Sequence, residues 1–276
     1  MERDSSKSSG FFQSSAQWLA LHHAAKLDQR KKFVSRLGLR SGDRILEIGS
    51  GPGHFTELFA NAIGPKGTIV AVDVDRALIE LARGRRIANA EFIVGDFRDT
   101  KLIGQLKGQA FDVVVIFNCL GFDGEFLSVI SKYGAIIPPE GRLLVKDSDM
   151  DHTYTNICDM KVYREVVLAS KRRTDLPLDN FLGMKLFSSG HFDGAVIKSR
   201  YTWPYLFHSP FAEAQVQYVC QNMKIALENA KDSVPRTTAS QFAEAFDDTR
   251  LRRASSIDAL FFLMHDFVIE LGGSRA

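Results

Sequence analysis

The sequence predicts an α/β protein with a mostly parallel sheet covered by helices on both faces. Short apolar, β-branched segments alternate with amphipathic segments, at about 25 residues per repeat of the pattern. Phe111–Phe117 is almost continuously β-branched or aromatic, as expected of a strand that is buried on both faces. Polar residues follow the ends of several of these segments, where sheets of this kind bind ligands.

The first part of the chain predicts helices and five strands in alternation. Helical spacing of apolar residues predicts one or two amphipathic helices at 11–37. Five apolar segments predict the strands: Arg44–Ile48, Thr68–Val72, Glu91–Val94, Phe111–Phe117 and Arg142–Lys146. Helical patterns follow the first, second and fourth strands: Phe55–Ile63, Arg76–Arg86 and Glu125–Tyr133.

Beyond residue 147 the pattern is less regular. Ala195–Trp203 and Leu260–Leu271 predict two more strands, which brings the sheet to seven. Residues 205–256 form a predicted helical insertion before the last strand, and we expect it to act with the N-terminal helices as a lid. We predict a disordered tail at residues 1–10 and a single domain at 11–276. Within the domain, the N-terminal helices occupy 11–37, the core 38–147 and the lid insertion 205–256.

Composition excludes several classes of protein. The chain has 276 residues, 45% of them hydrophobic, and its 35 Lys and Arg nearly balance its 33 Asp and Glu. A net charge of +2 argues against a protein that coats nucleic acid, so we expect no nucleic-acid partner. Its three cysteines fit no zinc or disulfide spacing, and no apolar run reaches the 18 residues of a membrane span. We therefore expect a cytoplasmic protein without a membrane span.

The strongest motif is the glycine-rich turn in ILEIGSGPGHFTELF, residues 45–59. Gly49, Gly51 and Gly53 follow a strand and precede a helix, where missing side chains let a ligand approach the backbone. The spacing G-x-G-x-G differs from the G-x-G-x-x-G of dinucleotide sites. Glu47 lies two residues before the first glycine, and a carboxylate there suits a cationic ligand better than a pyrophosphate.

Two further acids end the next two strands. Asp73 lies 20 residues beyond Gly53 and is placed to accept hydrogen bonds from ribose hydroxyls. Asp96 ends the third strand, where a carboxylate can accept from an exocyclic amine. Together these positions predict a nucleoside ligand with a cationic tail and no phosphate, a description that S-adenosylmethionine (SAM) meets.

With these motifs the sequence resembles the class I SAM-dependent methyltransferases over about residues 30–147. Five features carry the resemblance: E-x-G-x-G-x-G at Glu47–Gly53, the acid Asp73, G-D-F at Gly95–Phe97, the FDVVV strand and the P-x-G-R-L-L-V segment. Within that superfamily it is most similar to small-molecule methyltransferases related to ubiquinone- and menaquinone-biosynthesis enzymes. The resemblance implies a Rossmann-like sheet whose last strand is antiparallel.

The resemblance also implies which residues contact each part of the cofactor. Glu47, Gly49, Gly51 and Gly53 would surround the methionine part of the cofactor. Asp73 and Val74 would bind the ribose, and Asp96 and Phe97 would bind the adenine. Asn118 would lie beside the methyl group. The product of methyl transfer would be S-adenosylhomocysteine.

Residues after the fourth strand bear on the methyl acceptor. Asn118-Cys119-Leu120-Gly121 lacks the N/D-P-P-Y/F motif of amino-methylating nucleic-acid enzymes, and Cys119 lacks the Pro-Cys context of cytosine-C5 enzymes. We therefore expect methylation of O, N or C in a small, largely apolar or aromatic metabolite, as in natural-product (secondary) metabolism. An enzyme acting on RNA or protein, and a SAM-binding protein with a non-methylating reaction, are the alternatives.

Residues after the fifth strand supply the candidate catalytic group. His152 is expected near the mouth of the site, where a neutral imidazole could act as a general base; a surface loop histidine is the alternative. Alternate carboxylates at Asp147, Asp149 and Asp151 could suit a divalent cation, but a solvated loop, or carboxylates that bind a substrate amine near the methyl donor, explains them better, so we expect no metal. Aromatic residues of the insertion would line a substrate chamber or form core, and an aromatic lid surface is compatible with a homodimer.

Overall fold

The computed structural model describes residues 15–122, 125–171, 181–193 and 195–273. The tail predicted at 1–10 lies outside these ranges. Within them, no helix combines the length and the apolar composition that a membrane span requires.

The strands form a single sheet. Their bounds are β1 Arg44–Ile48, β2 Thr68–Asp73, β3 Ala90–Val94, β4 Val113–Phe117, β5 Arg142–Ser148, β6 Tyr154–Thr155, β7 Ala195–His208 and β8 Phe261–Gly273. The helices are α1 Ala16–Arg36, α2 His54–Ile63, α3 Arg76–Gly84, α4 Thr100–Lys107, α5 Phe126–Gly134, α6 Met160–Lys171, α7 Leu182–Ser188, α8 Glu213–Ala230, α9 Arg236–Ala245 and α10 Asp248–Ser255.

The topology confirms the predicted α/β class. Strands β1 to β5 are parallel in the order β3-β2-β1-β4-β5, and β8 lies antiparallel to β5 on one edge and to β7 on the other. The predicted count of seven strands was wrong by one, because β6 adds a two-residue strand beside the start of β8. Strand order reverses between β1 and β4, and sheets of this kind bind ligands at the carboxyl ends of the strands beside such a reversal.

Apolar residues on both faces of the sheet hold it between two helical layers. All five residues of β4 are buried, as its unbroken VVVIF sequence predicts. One face packs against α1, α2 and α3 through residues such as Phe33, Phe59 and Ile79. The other packs against α4, α5 and α7, for which Ile130 and Leu186 are examples. This burial fixes the carboxyl ends of β1 to β5 along one edge.

A third apolar cluster lies beyond that edge. Since β8 is antiparallel to β5 and their pairing ends at Ser148 and Asp266, the beginning of β8 extends past the carboxyl end of β5. Helices α1, α6, α8, α9 and α10 pack around this extension and the end of β7. The insertion predicted at 205–256 begins too early, because Tyr205–His208 continue β7 and pair with Phe261–Met264. A lid role for these helices stays a prediction.

Candidate functional site

The glycine-rich turn between β1 and α2 has a backbone that only glycine adopts easily. Gly49, Gly51 and Gly53 have φ angles of 73°, 54° and 78°, in the left-handed region. A Cβ on Gly49 would lie 2.5 Å from the Cβ of Cys119. The Gly49 amide also donates to the carbonyl of Val72 at 2.8 Å, which fixes the turn against β2. The turn therefore presents backbone, not side chains, at the carboxyl end of β1.

Asp73 holds this turn in place. Its Oδ2 accepts from the Gly51 amide at 2.7 Å, and its Oδ1 accepts from the Asp75 amide at 2.9 Å, across Val74. Burial raises the pKa of the Asp73 carboxyl, although these backbone hydrogen bonds oppose the rise. Two carboxylate oxygens offer about four acceptor positions, so the group can also accept from hydroxyl donors.

Glu47 is buried at the end of β1, behind the turn. The Thr56 hydroxyl on α2 donates to its Oε2 at 2.5 Å. Burial, with a smaller contribution from the charge of Asp73, raises the pKa of Glu47 to about 8. The carboxyl is therefore protonated at neutral pH until a positive charge lies beside it.

Asp96 and Phe97, after β3, occupy the next position along the edge. The Arg98 guanidinium donates from Nε to Asp96 Oδ1 at 2.9 Å and from Nη2 to Oδ2 at 2.6 Å, which lowers the pKa of Asp96. The Phe97 carbonyl accepts from the Tyr133 hydroxyl at 3.0 Å. The acid predicted to meet adenine is thus ionised and already paired on one side.

Asn118 follows β4 with a positive φ of 54°. Its amide N–H donates to the Lys146 carbonyl at 2.8 Å, and its Oδ1 accepts from the Lys146 ammonium. The structure therefore brings the predicted cofactor residues of β1, β2, β3 and β4 to one edge of the sheet.

These residues fit a nucleoside with a cationic amino-acid tail. Three left-handed glycines leave room at the backbone, and two acids of raised pKa stand beside them. The buried hydroxyl of Ser50, within the turn, has no hydrogen-bond partner among the described residues and can meet a polar ligand atom.

His152 ends a short 3₁₀ turn, Met150–His152, after β5. Its Nδ1 lies 3.3 Å from Oδ1 of the buried Asp149, and its ring contacts Phe267 edge-on, with centroids 5.0 Å apart. Asp149 is itself fixed by the amide of Met184 at 3.0 Å. The imidazole is 37% exposed. The Nδ1 atom completes no hydrogen bond with the described residues, so the carboxylate is a close neighbour of a partly exposed imidazole, the group that most often acts as a general base.

The alternating acids at and just after the end of β5 have separate partners. Asp147 accepts from the amide of Ser148, and Asp149 from that of Met184. Asp151 forms an ion pair with Lys171 at 2.5 Å. In the described ranges, no group of three or more His, Cys, Asp or Glu side chains is arranged to hold a metal ion.

Comparison with known proteins identifies the family. Residues 39–203, more than half of the chain, match the model of a family described as a methyltransferase domain. The chain belongs to this methyltransferase family.

Curated relatives that match part of the chain are methyltransferases as well. The methyltransferase is 30% identical over 121 residues to the ubiquinone/menaquinone biosynthesis C-methyltransferase UbiE of Pseudomonas savastanoi. The aligned residues cover 42% of this chain and 46% of that protein. The enzyme of that name from Saccharophagus degradans is 28% identical over 120 residues. The chain thus spans about half the length of the curated relatives it matches.

Solved structures share the fold. A chain in the complex of the Haloferax volcanii Trm112 methyltransferase activator with its partner aligns at a TM-score of 0.57, with 10% identity over 95% of this chain and 96% of that one. A Bacillus halodurans protein described as a methyltransferase aligns at 0.52, with 14% identity over 90% of this chain and all of that one. At these identities the likeness shows the fold alone.

The methyltransferase also has a feature that sequence reasoning missed, which we call the basic cluster. It consists of three buried cations, Lys26, Arg30 and Lys146, and one buried carboxylate, Asp266. Their exposed fractions are 4% for Lys26, 6% for Arg30, 1% for Lys146 and 2% for Asp266. Lys146 Nζ donates to Asp266 Oδ2 at 2.5 Å, between β5 and β8. Helical spacing of four along α1 was the available signal, because it places Lys26 and Arg30 on the same face as the buried His22.

Aromatic residues of β7 and α8 surround part of the basic cluster. The Lys26 ammonium lies 4.5 Å from the ring centroid of Tyr205 and 5.0 Å from that of Tyr218. His22 stacks on Tyr218 with centroids 5.2 Å apart. The aromatic residues of this region are largely core, since Tyr205, Phe207 and Tyr218 are all buried in the third cluster. Tyr205 and Tyr218 contact a cation as well.

Proposed function

We propose that this protein is a SAM-dependent methyltransferase that methylates O, N or C of a small, largely apolar or aromatic metabolite. The observation that carries the proposal is the meeting of the left-handed glycine turn with Glu47 and Asp73 at the strand-order reversal. A cationic amino-acid tail beside Glu47 and ribose hydroxyls beside Asp73 would satisfy both acids. Membership of a methyltransferase family and the likeness to UbiE enzymes support this reading.

Each residue has a role that follows from its position. Bound SAM supplies an electrophilic methyl group on a sulfonium. Gly49, Gly51 and Gly53 would admit its methionine part to the backbone, while Asp73 and Val74 would hold its ribose. The Asp96–Phe97 pair would border the adenine. Asn118, fixed by Lys146, would lie beside the methyl group and help align the acceptor, since methyl transfer depends largely on alignment and desolvation.

We propose His152 as the general base when the acceptor is a hydroxyl. Its Nδ1 lies 3.3 Å from Asp149, and its side chain is 37% exposed, so an acceptor can reach it. An acceptor that is already nucleophilic would not need it, so the base serves only O-methylation or similar chemistry.

A small apolar acceptor suits the surroundings of the site. The third cluster places aromatic rings and apolar helices beyond the carboxyl end of β5, and binding sites for small molecules are usually apolar with a few polar groups. UbiE is named a C-methyltransferase, and that likeness favours a carbon acceptor. A cytoplasmic location, a homodimer and the absence of a nucleic-acid partner stay predictions.

Calorimetric titration of the full chain with SAM tests the proposal. Asp73→Ala removes a charged acceptor of ribose hydrogen bonds, worth about 1.5–3 kcal/mol, so SAM affinity should fall roughly ten- to a hundredfold. Asp73→Asn, which retains one acceptor oxygen, should lose less.

Two results would contradict the proposal. One is wild-type protein that does not bind SAM. The other is unchanged affinity in a folded Asp73→Ala protein, which would remove the ribose assignment.

A further inference from the structure

The basic cluster has more positive charge than its surroundings balance. Among the described residues, Lys26, Arg30 and Lys146 share the buried carboxylate of Asp266, and Lys146 takes the direct contact with it. Burial lowers the pKa of Lys26 to about 8, because the charge of Asp266 offsets only part of the cost of desolvation. Buried charges in proteins are normally paired, so this excess calls for an anion.

Polar atoms in the cluster also lack partners. Arg30 is buried; its Nη1 lies 3.1 Å from His23 Nδ1 and its Nη2 3.3 Å from the ring nitrogens of His22, whereas its Nε forms no hydrogen bond with any described residue. The hydroxyl of the fully buried Tyr205 lies close to Arg30 and Asp266, yet it completes no hydrogen bond of good geometry within the described ranges. Buried donors left in this state are costly, and a ligand with acceptor oxygens would satisfy them.

The cluster adjoins the position proposed for the methyl group. The Lys146 ammonium donates to Asn118 and lies 5.6 Å from the ring centroid of Phe55 and 5.4 Å from that of Phe117. The Arg30 guanidinium lies 4.7 Å from the ring centroid of Phe55. Cations and aromatic rings thus alternate from Asn118 toward Tyr205, a combination that suits an apolar or aromatic molecule with one anionic group.

We infer that the methyl acceptor is a carboxylic acid whose carboxylate is bound by the basic cluster. The inference rests on the proposed function and names the substrate class of the same site. The Arg30 Nε–H is the guanidinium donor left without a partner among the described residues, and two ammonium groups add charge without fixed direction. Tyr205 would supply a neutral donor. A carboxylate could also come from the methionine part of SAM, and the experiment separates the two sources.

The experiment compares carboxylates with the corresponding carboxamides. The full chain is saturated with S-adenosylhomocysteine at pH 7 and titrated with benzoate and benzamide, cinnamate and cinnamamide, and 1-naphthoate and 1-naphthamide. In the wild type, at least one acid should bind at least tenfold more tightly than its amide. Lys26→Met should remove that preference while affinities for the amide and for S-adenosylhomocysteine change less than twofold.

Stability supplies an independent readout. Lys26→Met deletes a buried charge that forms no ion pair with a carboxylate of the described ranges, so the melting temperature should stay the same or rise. Lys32→Met, an exposed lysine on the same helix, is the matched control and should change neither binding nor melting. Lys26→Gln repeats the test if Lys26→Met does not fold. The comparison of acid with amide binding in the wild type does not depend on either variant.

Three results would overturn the inference. In the first, no acid binds the wild type more tightly than its amide. In the second, Lys26→Met keeps the preference. In the third, Lys26→Met weakens S-adenosylhomocysteine at least tenfold and leaves acids and amides equal, which would assign the cations to the cofactor carboxylate. Wild-type protein that fails to bind S-adenosylhomocysteine would instead contradict the proposed function itself.

Discussion

Two neighbouring regions of this methyltransferase carry buried charges of opposite sign. At the carboxyl ends of β1 and β2, Glu47 and Asp73 are acids whose pKa burial raises. Beyond the carboxyl end of β5, Lys26 is a base whose pKa burial lowers, and it stands with two further cations. We propose that the first region receives positive charge and hydroxyl donors, and that the second receives negative charge. Asn118, bonded to Lys146, joins them.

The largest expected effect concerns the chemistry between the two regions. A general base typically contributes about 10²–10⁴ in rate, so His152→Ala should lower kcat by that order for a hydroxyl acceptor. SAM affinity should not change, because His152 lies outside the acidic region. The exposed His208, at the end of β7, gives the control variant His208→Ala. A fall of less than about threefold would leave alignment and desolvation as the main contributors.

The second largest effect is a difference in how substitutions in the basic cluster and in the acidic region change the free energy of unfolding. Asp266→Asn leaves the three cations of the basic cluster without their carboxylate, and breaking a buried pair costs about 3–5 kcal/mol. Adding Lys146→Met should restore part of the loss. By contrast, Glu47→Gln should not destabilise the protein at pH 7 and should raise its stability, because Glu47 is protonated there in the folded chain and ionised in the unfolded one.

Denaturant unfolding measures these free energies. Asp193→Asn, at an exposed pair with His191, is the control and should be near neutral. If Asp266→Asn cost less than about 1 kcal/mol, the cluster would not depend on this carboxylate.

A smaller effect appears in the pH dependence of the acidic region. The folded pKa of Glu47, about 8, lies above its unfolded value of 4.5. Its contribution to stability is therefore complete below pH 4.5 and is lost as pH rises through 8. Relative to Glu47→Gln, the wild type should lose up to about 1.4 kcal/mol per pH unit between these values.

Unfolding curves at pH 5, 6, 7 and 8 follow this difference. A free-energy difference between wild type and Glu47→Gln that stays constant with pH would show that Glu47 is not buried as an acid. Glu47→Gln is the matched control for the wild type, since the two proteins share every other titrating group.

The acidic region could be predicted from the sequence and the basic cluster could not. Glu47, the glycines and Asp73 lie within one strand-turn-helix-strand segment, so their spacing already encodes their proximity. Lys26, Lys146 and Asp266 come from three distant segments, and only the packing of α1 against β5 and β8 brings them together. In the sequence, Asp266 interrupts an apolar run and shows no sign of burial.

The same difference governs the fold. Parallel strands β1 to β5 follow from local apolar patterns, and all five were predicted in position. Strand β6 has two residues and no pattern of its own. The predicted start of the insertion was wrong because the sequence of Tyr205–His208 is compatible with either aromatic core or a strand. The end of β7 is determined by its pairing with β8, which the sequence does not show.

A crystal structure of the full chain with S-adenosylhomocysteine and an acid selected by the titrations tests the two-region account most directly. The account predicts the amino-acid tail of the cofactor product beside Glu47 and the glycine turn, its ribose hydroxyls on Asp73, and the carboxylate of the acid on Lys26, Arg30 and Lys146. Density for the cofactor product away from the carboxyl ends of β1 and β2, or for the carboxylate away from the basic cluster, would contradict it.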